Sequence, residues 1–114
     1  MKMYVIVRKD LDMGKGKLCA QTGHGFVESY KIYKKEFPEY VKKWESLGSA
    51  KIVLKVNDLE ELLERYEKIK KELPCVLIRD AGKTQIEPGT ITCVAFGPVP
   101  EKIAEKYVKD LKLL

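Results

Sequence analysis

Two stretches of this 114-residue chain carry side chains whose types and spacing could do chemistry. In the first, Lys17, Gln21, His24 and Glu28 recur at intervals of three and four residues. At about 100° per residue on a helix they fall within an arc of roughly 60°, so an amine, an amide, an imidazole and a carboxylate stand in one line. Such a set can stabilise an anion, orient a water and accept a proton. It also reads as a solvent-facing ladder of side-chain hydrogen bonds. The second stretch runs from Asp80 through Gly82-Lys83-Thr84-Gln85 and Pro88-Gly89 to Ile91-Thr92. Asp80 directly follows an apolar run, where a carboxylate gains from nearby donors, and Thr84, Gln85 and Thr92 supply neutral hydrogen-bonding groups. A loop this long in a small domain tends to be functional, but a simple connection in which Asp80 caps a turn fits the same residues.

Ahead of the helical stripe lies Arg8-Lys9-Asp10-Leu11-Asp12-Met13-Gly14-Lys15-Gly16-Lys17. Gly14 and Gly16 let the backbone turn, and a helix N-terminus with open N–H groups attracts anions. Lys9, Lys15 and Lys17 add positive charge there. The spacing is not that of a Walker loop, and a plain turn accounts for the glycines equally well. The charge balance points the same way as the lysines. Residues 1–57 hold 12 basic and 6 acidic side chains, and residues 58–114 hold 10 and 11, so the net +5 comes wholly from the first half. A surface meeting phosphate has that footprint; so does a solvated lysine-rich surface.

Composition removes several classes of function. A single histidine rules out HExxH and His-rich metal sites. None of Ser29, Ser46 and Ser49 lies in a GxSxG elbow. Three cysteines, with no CxxC, argue against a disulfide framework or a zinc knuckle and for a reducing cytoplasm. No apolar run approaches the roughly 18 residues of a membrane span, and no signal peptide is expected, because Lys2 leads straight into an apolar strand.

The elements that must position these groups are legible from periodicity. Met3–Arg8, Lys51–Val56, Cys75–Arg79 and Ile91–Phe96 read as strands rich in Val and Ile, with Pro98 and Pro100 punctuating the exit of the last. A long helix is predicted from about Lys15 to Lys35, with Cys19, Phe26, Tyr30 and Tyr33 toward the core. Gly23 and Gly25 within it suggest something packed close. A shorter helix should follow Pro38. Asp58 is predicted to cap a helix to about Lys71 in a capping box with Glu61, and a short helix near Glu101–Tyr107 closes the chain. The order implies one α/β domain over residues 1–114: a three-layer sandwich with a four-stranded, mostly parallel sheet, helices on both faces, and mixed pairing where the last two strands join without a helix.

Three segments, VIVRKDLDMGKGKLCAQTGH at 5–24, KIVLKVND at 51–58 and LIRDAGKTQIEPGTITCVAFGP at 77–98, with the terminal DLKLL, resemble the peptidyl-tRNA hydrolases of the archaeal and eukaryotic type. The resemblance runs nearly end to end. It implies a mixed four-stranded sheet flanked by helices and hydrolysis of the ester joining a peptide to the 3′ end of tRNA, in the cytoplasm, returning tRNA to translation. By position it places the family's active-site residues on Lys17, Gln21, Asp80, Thr84 and Thr92, and its helix histidine on His24. Asp12 stands where many members have lysine, and Cys19 and Gly25 replace common alanines. On this footing Asp80 positions or deprotonates the attacking water, Lys17 stabilises the oxyanion, and His24 is the rival base. Lys9, Lys15, Gly14, Gly16 and Gln85 would bind the substrate. No cofactor or metal is implied, and neither is a membrane. Family members can form homodimers, though nothing in this sequence requires one. The competing class is a non-catalytic tRNA- or RNA-binding module using the same basic groove.

Overall fold

The first strand, β1 (Lys2–Arg8), has no polar residue between Met3 and Val7, so both of its faces need cover. It receives cover on both. In the computed structural model, which describes residues 1–81 and 89–114, β1 is followed by α1 (Lys15–Glu36), α2 (Pro38–Ser46), β2 (Lys51–Val56), α3 (Leu59–Lys70), β3 (Cys75–Arg79), β4 (Ile91–Val99), α4 (Glu101–Val108) and β5 (Lys112–Leu113). The expectations placed on Lys83, Thr84, Gln85 and Pro88 lie outside the described residues.

The sheet has five strands, not four, in the order β3-β4-β1-β2-β5. Among the described residues only β1 and β2 pair in parallel; β1–β4, β3–β4 and β2–β5 are antiparallel. The mostly parallel layout expected from sequence is therefore wrong, for an identifiable reason. The helical connections do make β1, β2 and β3 point the same way, as crossovers should. But β4 returns from β3 without a helix and inserts between β3 and β1, so every contact it makes is antiparallel. The added fifth strand, β5, is only two residues long and carries no periodicity to read.

Alternation along β1 and β4 divides the core. Val5, Val7, Cys93 and Ala95 face α1, packing with Leu18 and Phe26. Tyr4, Ile6, Val94 and Phe96 face the other way, under Leu62 and Ile69 of α3 and Ala104 and Tyr107 of α4. There Tyr4 and Phe96 stack at 5.0 Å, and Tyr107 meets Phe96 edge-on at 6.2 Å. The three-layer arrangement is thus present. Asp58 caps α3 by accepting from the Glu61 N–H at 3.0 Å, but Glu61 reaches back one residue further, to the Asn57 N–H at 2.7 Å.

Two local expectations need correction. The last main strand does not stop at Phe96. It runs through Pro98 to Val99, because the register with β1 shifts between Lys2 and Tyr4, and an irregular step tolerates a proline that lacks a ladder donor. Gly97 makes that step at φ +96°, where a Cβ would sit 2.9 Å from the Lys2 carbonyl oxygen. On α1, Cys19 is exposed, and the residues that are buried are Gln21, Thr22, Gly25, Ser29 and Tyr33. Close packing holds at Gly25 alone, where a Cβ would lie 3.0 Å from Val5 Cγ2 and 3.3 Å from the Ala95 Cβ; at Gly23 there is open space. Among the described residues no helix is long and apolar enough to cross a membrane.

Candidate active site

Because β1, β2 and β3 run in one direction, their C-terminal ends lie at one end of the sheet, where ligand sites of α/β sheets collect. The N-terminal turn of α1 is at the same end, since the chain passes from β1 to α1 through a short connection. Lys17 and Asp80, 63 positions apart, meet there as an ion pair. The Asp80 side chain is wholly buried and Lys17 is 11% exposed. Backbone bonds hold the carboxylate in place: the Asp80 N–H donates to the Thr90 carbonyl and its own carbonyl accepts from the Gly89 N–H, both at 2.8 Å. A buried carboxylate of this kind persists in charged form only beside a cation or strong donors.

Behind the ion pair is a second polar couple. The Thr92 hydroxyl donates to Gln21 Oε1 at 2.7 Å and lies 3.2 Å from the Ile78 carbonyl oxygen. Both side chains are buried. With its oxygen engaged, Gln21 keeps its NH₂ donors for whatever enters the cleft. Strict alternation from Cys93 would send Thr92 to the α3 face. A register shift opposite Ile78 and Arg79 prevents this, putting Thr92 and Cys93 on the same side of the sheet, as a bulge re-aims a side chain. Cys93 is part of that packing, its thiol 3.6 Å from the Gln21 carbonyl oxygen and pushed up to about 12 by burial.

The ion pair opens onto a groove of about 840 Å³. Gly16, Lys17, Ala20, Gln21, His24 and Glu28 form the wall on α1; Val76 to Ala81 form the opposite wall. The whole predicted stripe of α1 therefore lines one cleft, together with Asp80. His24 sits midway along it and is exposed, about 10 Å along the helix axis from Lys17. Of the other sequence-predicted residues, Gly16 is in the wall, Gly14 is the N-cap residue of α1, and Lys15 is its exposed first residue. Thr84 and Gln85 lie outside the described residues. Among the described residues no cluster of three or more His, Cys, Asp or Glu side chains is arranged to hold a metal ion.

Lys9 is not in this groove. It lines a separate hollow of about 310 Å³ with Lys55, Arg65 and Lys112. Sequence reasoning missed Lys55 and Lys112. They lie directly opposite each other on β2 and β5, an arrangement of like charges that costs stability. Nearby arginines are already committed: Arg8 makes a two-pronged bond to Asp10 at 2.8 Å, and Arg65 grips Asp110, pulling that carboxyl down to about 2. The signal available in advance was only that neither lysine lies on a helix, where a neighbouring acid could offset it.

A buried ammonium–carboxylate pair, backed by a hydroxyl–amide couple and open to a groove at the strand ends, defines a compact α/β protein with a polar cleft. Its relatives are specific. The chain belongs to the peptidyl-tRNA hydrolase family of the archaeal type: the family described as Peptidyl-tRNA hydrolase PTH2 matches it over residues 1–114. Proteins named peptidyl-tRNA hydrolase from Sulfolobus acidocaldarius (52% identical over 120 residues) and Methanocaldococcus jannaschii (49% over 115) align with all of this chain and all of their own. One from Sulfurisphaera tokodaii is 50% identical over 122 residues, covering 99% of this chain and 98% of its own.

Proposed function

We infer that this cleft hydrolyses the ester between a peptide and the 3′ end of tRNA, releasing free peptide and a tRNA that can be recharged. The observation that carries the reading is the buried Lys17–Asp80 pair at the mouth of an open groove, in a chain of this family. In the resting site the ammonium covers the carboxylate. Entry of the ester carbonyl would draw Lys17 toward the carbonyl oxygen, where it stabilises the oxyanion as it forms, and free Asp80 to take the proton of an attacking water. The water oxygen bonds to the carbonyl carbon; the tetrahedral intermediate then expels the ribose oxygen, which receives a proton, and the Lys17–Asp80 pair re-forms. Gln21, held by Thr92, would orient water or substrate through its NH₂. Thr84 belongs to this machinery on the family resemblance. His24 is the second candidate base, further along the groove.

The tRNA phosphates would meet Lys9 and Lys15 near Gly14 and Gly16, with Lys55 and Lys112 extending the basic surface across the strand ends. Replacing both Lys55 and Lys112 by Gln should then weaken tRNA binding and reduce the slope of log affinity against log salt by about 1 to 2; an unchanged slope removes those two from the interface. The decisive assay is single-turnover hydrolysis of N-blocked aminoacyl-tRNA by the purified protein. Free N-blocked amino acid and intact tRNA are expected. Binding with no release of the N-blocked amino acid would make the protein a tRNA-binding module instead.

A further inference from the structure

The groove has a second wall that the chemistry above does not use. Among the described residues β3 is the outermost strand on its side of the sheet, and Val76, Leu77, Ile78 and Arg79 line the groove along its length. Backbone N–H and C=O groups of successive strand residues point to opposite edges. Two contacts fix which residues address β4: the Asp80 N–H bonds to the Thr90 carbonyl, and the Thr92 hydroxyl approaches the Ile78 carbonyl. Residues 78 and 80 thus turn inward, and Leu77 and Arg79 turn their backbone donors and acceptors outward.

Exposed strand edges invite another strand, and proteins usually blunt them with short length, charged side chains or proline. The opposite edge follows that rule, since β5 has two residues and one is Lys112. β3 follows it only at its last residue, the charged and exposed Arg79. It is five residues long, reads Cys-Val-Leu-Ile-Arg, and contains neither proline nor lysine. Its open edge also leads directly to Asp80.

We propose that the peptide moiety of the substrate docks as an added strand on β3. This rests on the hydrolase reading above and extends it to how the peptide is held. The direction follows from the site: the ester must lie at Lys17 and Asp80, at the C-terminal end of β3, so the peptide runs parallel to β3. From Val76 to Asp80 is about 13 Å of strand, room for about four extended residues. In a parallel pair the peptide residue opposite Ile78 donates its N–H to the Leu77 carbonyl and accepts from the Arg79 N–H; its neighbours turn their backbone away. Main-chain bonds of this kind bind peptides without regard to sequence, which suits a substrate whose peptide varies. Charge separates the two halves of the substrate. Val76, Ile78 and Ala20 give the groove an apolar stretch for the peptide, whereas Lys9 and Lys15, which could meet phosphate, lie outside it.

The test is a set of pentapeptidyl-tRNAs in which one N-methyl group is walked through successive peptide bonds, with N-acetyl-aminoacyl-tRNA as the control. KM and kcat are measured for each with the wild-type protein. A methyl group on the residue that faces β3 should raise KM about five- to tenfold, the loss of one hydrogen bond, with kcat little changed; methyl groups on the residues either side should have a much smaller effect. Effects that are uniform along the peptide, or absent, while the control is still cleaved, would overturn strand addition and leave the hydrolase reading intact. Failure to cleave the control as well would overturn both.

Discussion

On the α3 and α4 side of the sheet, Tyr4, Ile6, Val94 and Phe96 are buried among Leu62, Ile69, Ala104 and Tyr107. On the α1 side, Val5, Val7, Cys93 and Ala95 share the interior with Gln21, Thr22, Ser29, Asp80 and Thr92. The first side is close-packed hydrocarbon and aromatic ring. The second holds polar groups that are tolerable only because each has a partner: Ser29 donates to the Gly97 carbonyl at 2.6 Å, Thr92 to Gln21, and Lys17 to Asp80. The comparison teaches that one sheet divides its labour. Burial on the α3 and α4 side stabilises the fold, which allows the α1 side to carry a charged pair whose desolvation roughly cancels its attraction.

Substitutions on the two sides should therefore fail differently. The largest effect is expected at Asp80: Asp80→Asn keeps the size of the side chain but removes the base, and single-turnover kcat should fall by about 10²–10⁴-fold with the fold retained by circular dichroism. His24→Ala should cost less; if it costs more, the base is His24. On the opposite side, Phe96→Ala should lower unfolding free energy by about 3–5 kcal/mol in urea titrations, with kcat of the folded protein unchanged. A fall in kcat there would mean that the two sides are not separable.

Gly25→Ala probes the boundary between them. Its added methyl meets Val5 and Ala95, so α1 must lift from the sheet or the core must give, at about 1–3 kcal/mol. Because α1 also carries Lys17 and Gln21, kcat should fall alongside stability, unlike Phe96→Ala. The smallest effect is alkaline. Burial holds the Cys93 thiol neutral to about 12, against about 9 for an unperturbed thiol. Between those values the unfolded chain releases this proton and the native chain keeps it, so fewer protons are bound on unfolding and stability falls as pH rises. Urea midpoints should drop from pH 8 to pH 10, and Cys93→Ala should remove about 1 kcal/mol of that drop.

The alignment of Lys17, Gln21, His24 and Glu28 was legible because helical periodicity is a local property, and all four line one groove. On the other side of α1, periodicity found Tyr33, which is buried, and Phe26 and Tyr30, which pack partly buried against the core, but it wrongly included the exposed Cys19. It passed over Thr22, Gly25 and Ser29, since close approach of a helix to Val5 and Ala95 selects small side chains that a hydrophobic period does not mark. Thr92 was legible as a hydrogen-bonding group near Asp80, but not its aim at Gln21, because strand alternation points it away from the site and a bulge reverses it.

By itself the sequence determined the boundaries of the four main strands to within a few residues, the helices between them, the direction of each crossover and the basic bias of the first half. These follow from hydrophobic period, capping residues and charge, which act over a few positions along the chain. The tertiary structure alone decided that β4 lies between β3 and β1, that Lys17 reaches Asp80 across 63 positions, and that Lys55 stands opposite Lys112. Strand neighbours and register are set by how whole faces pack once the chain has closed, and no short window of residues contains that information.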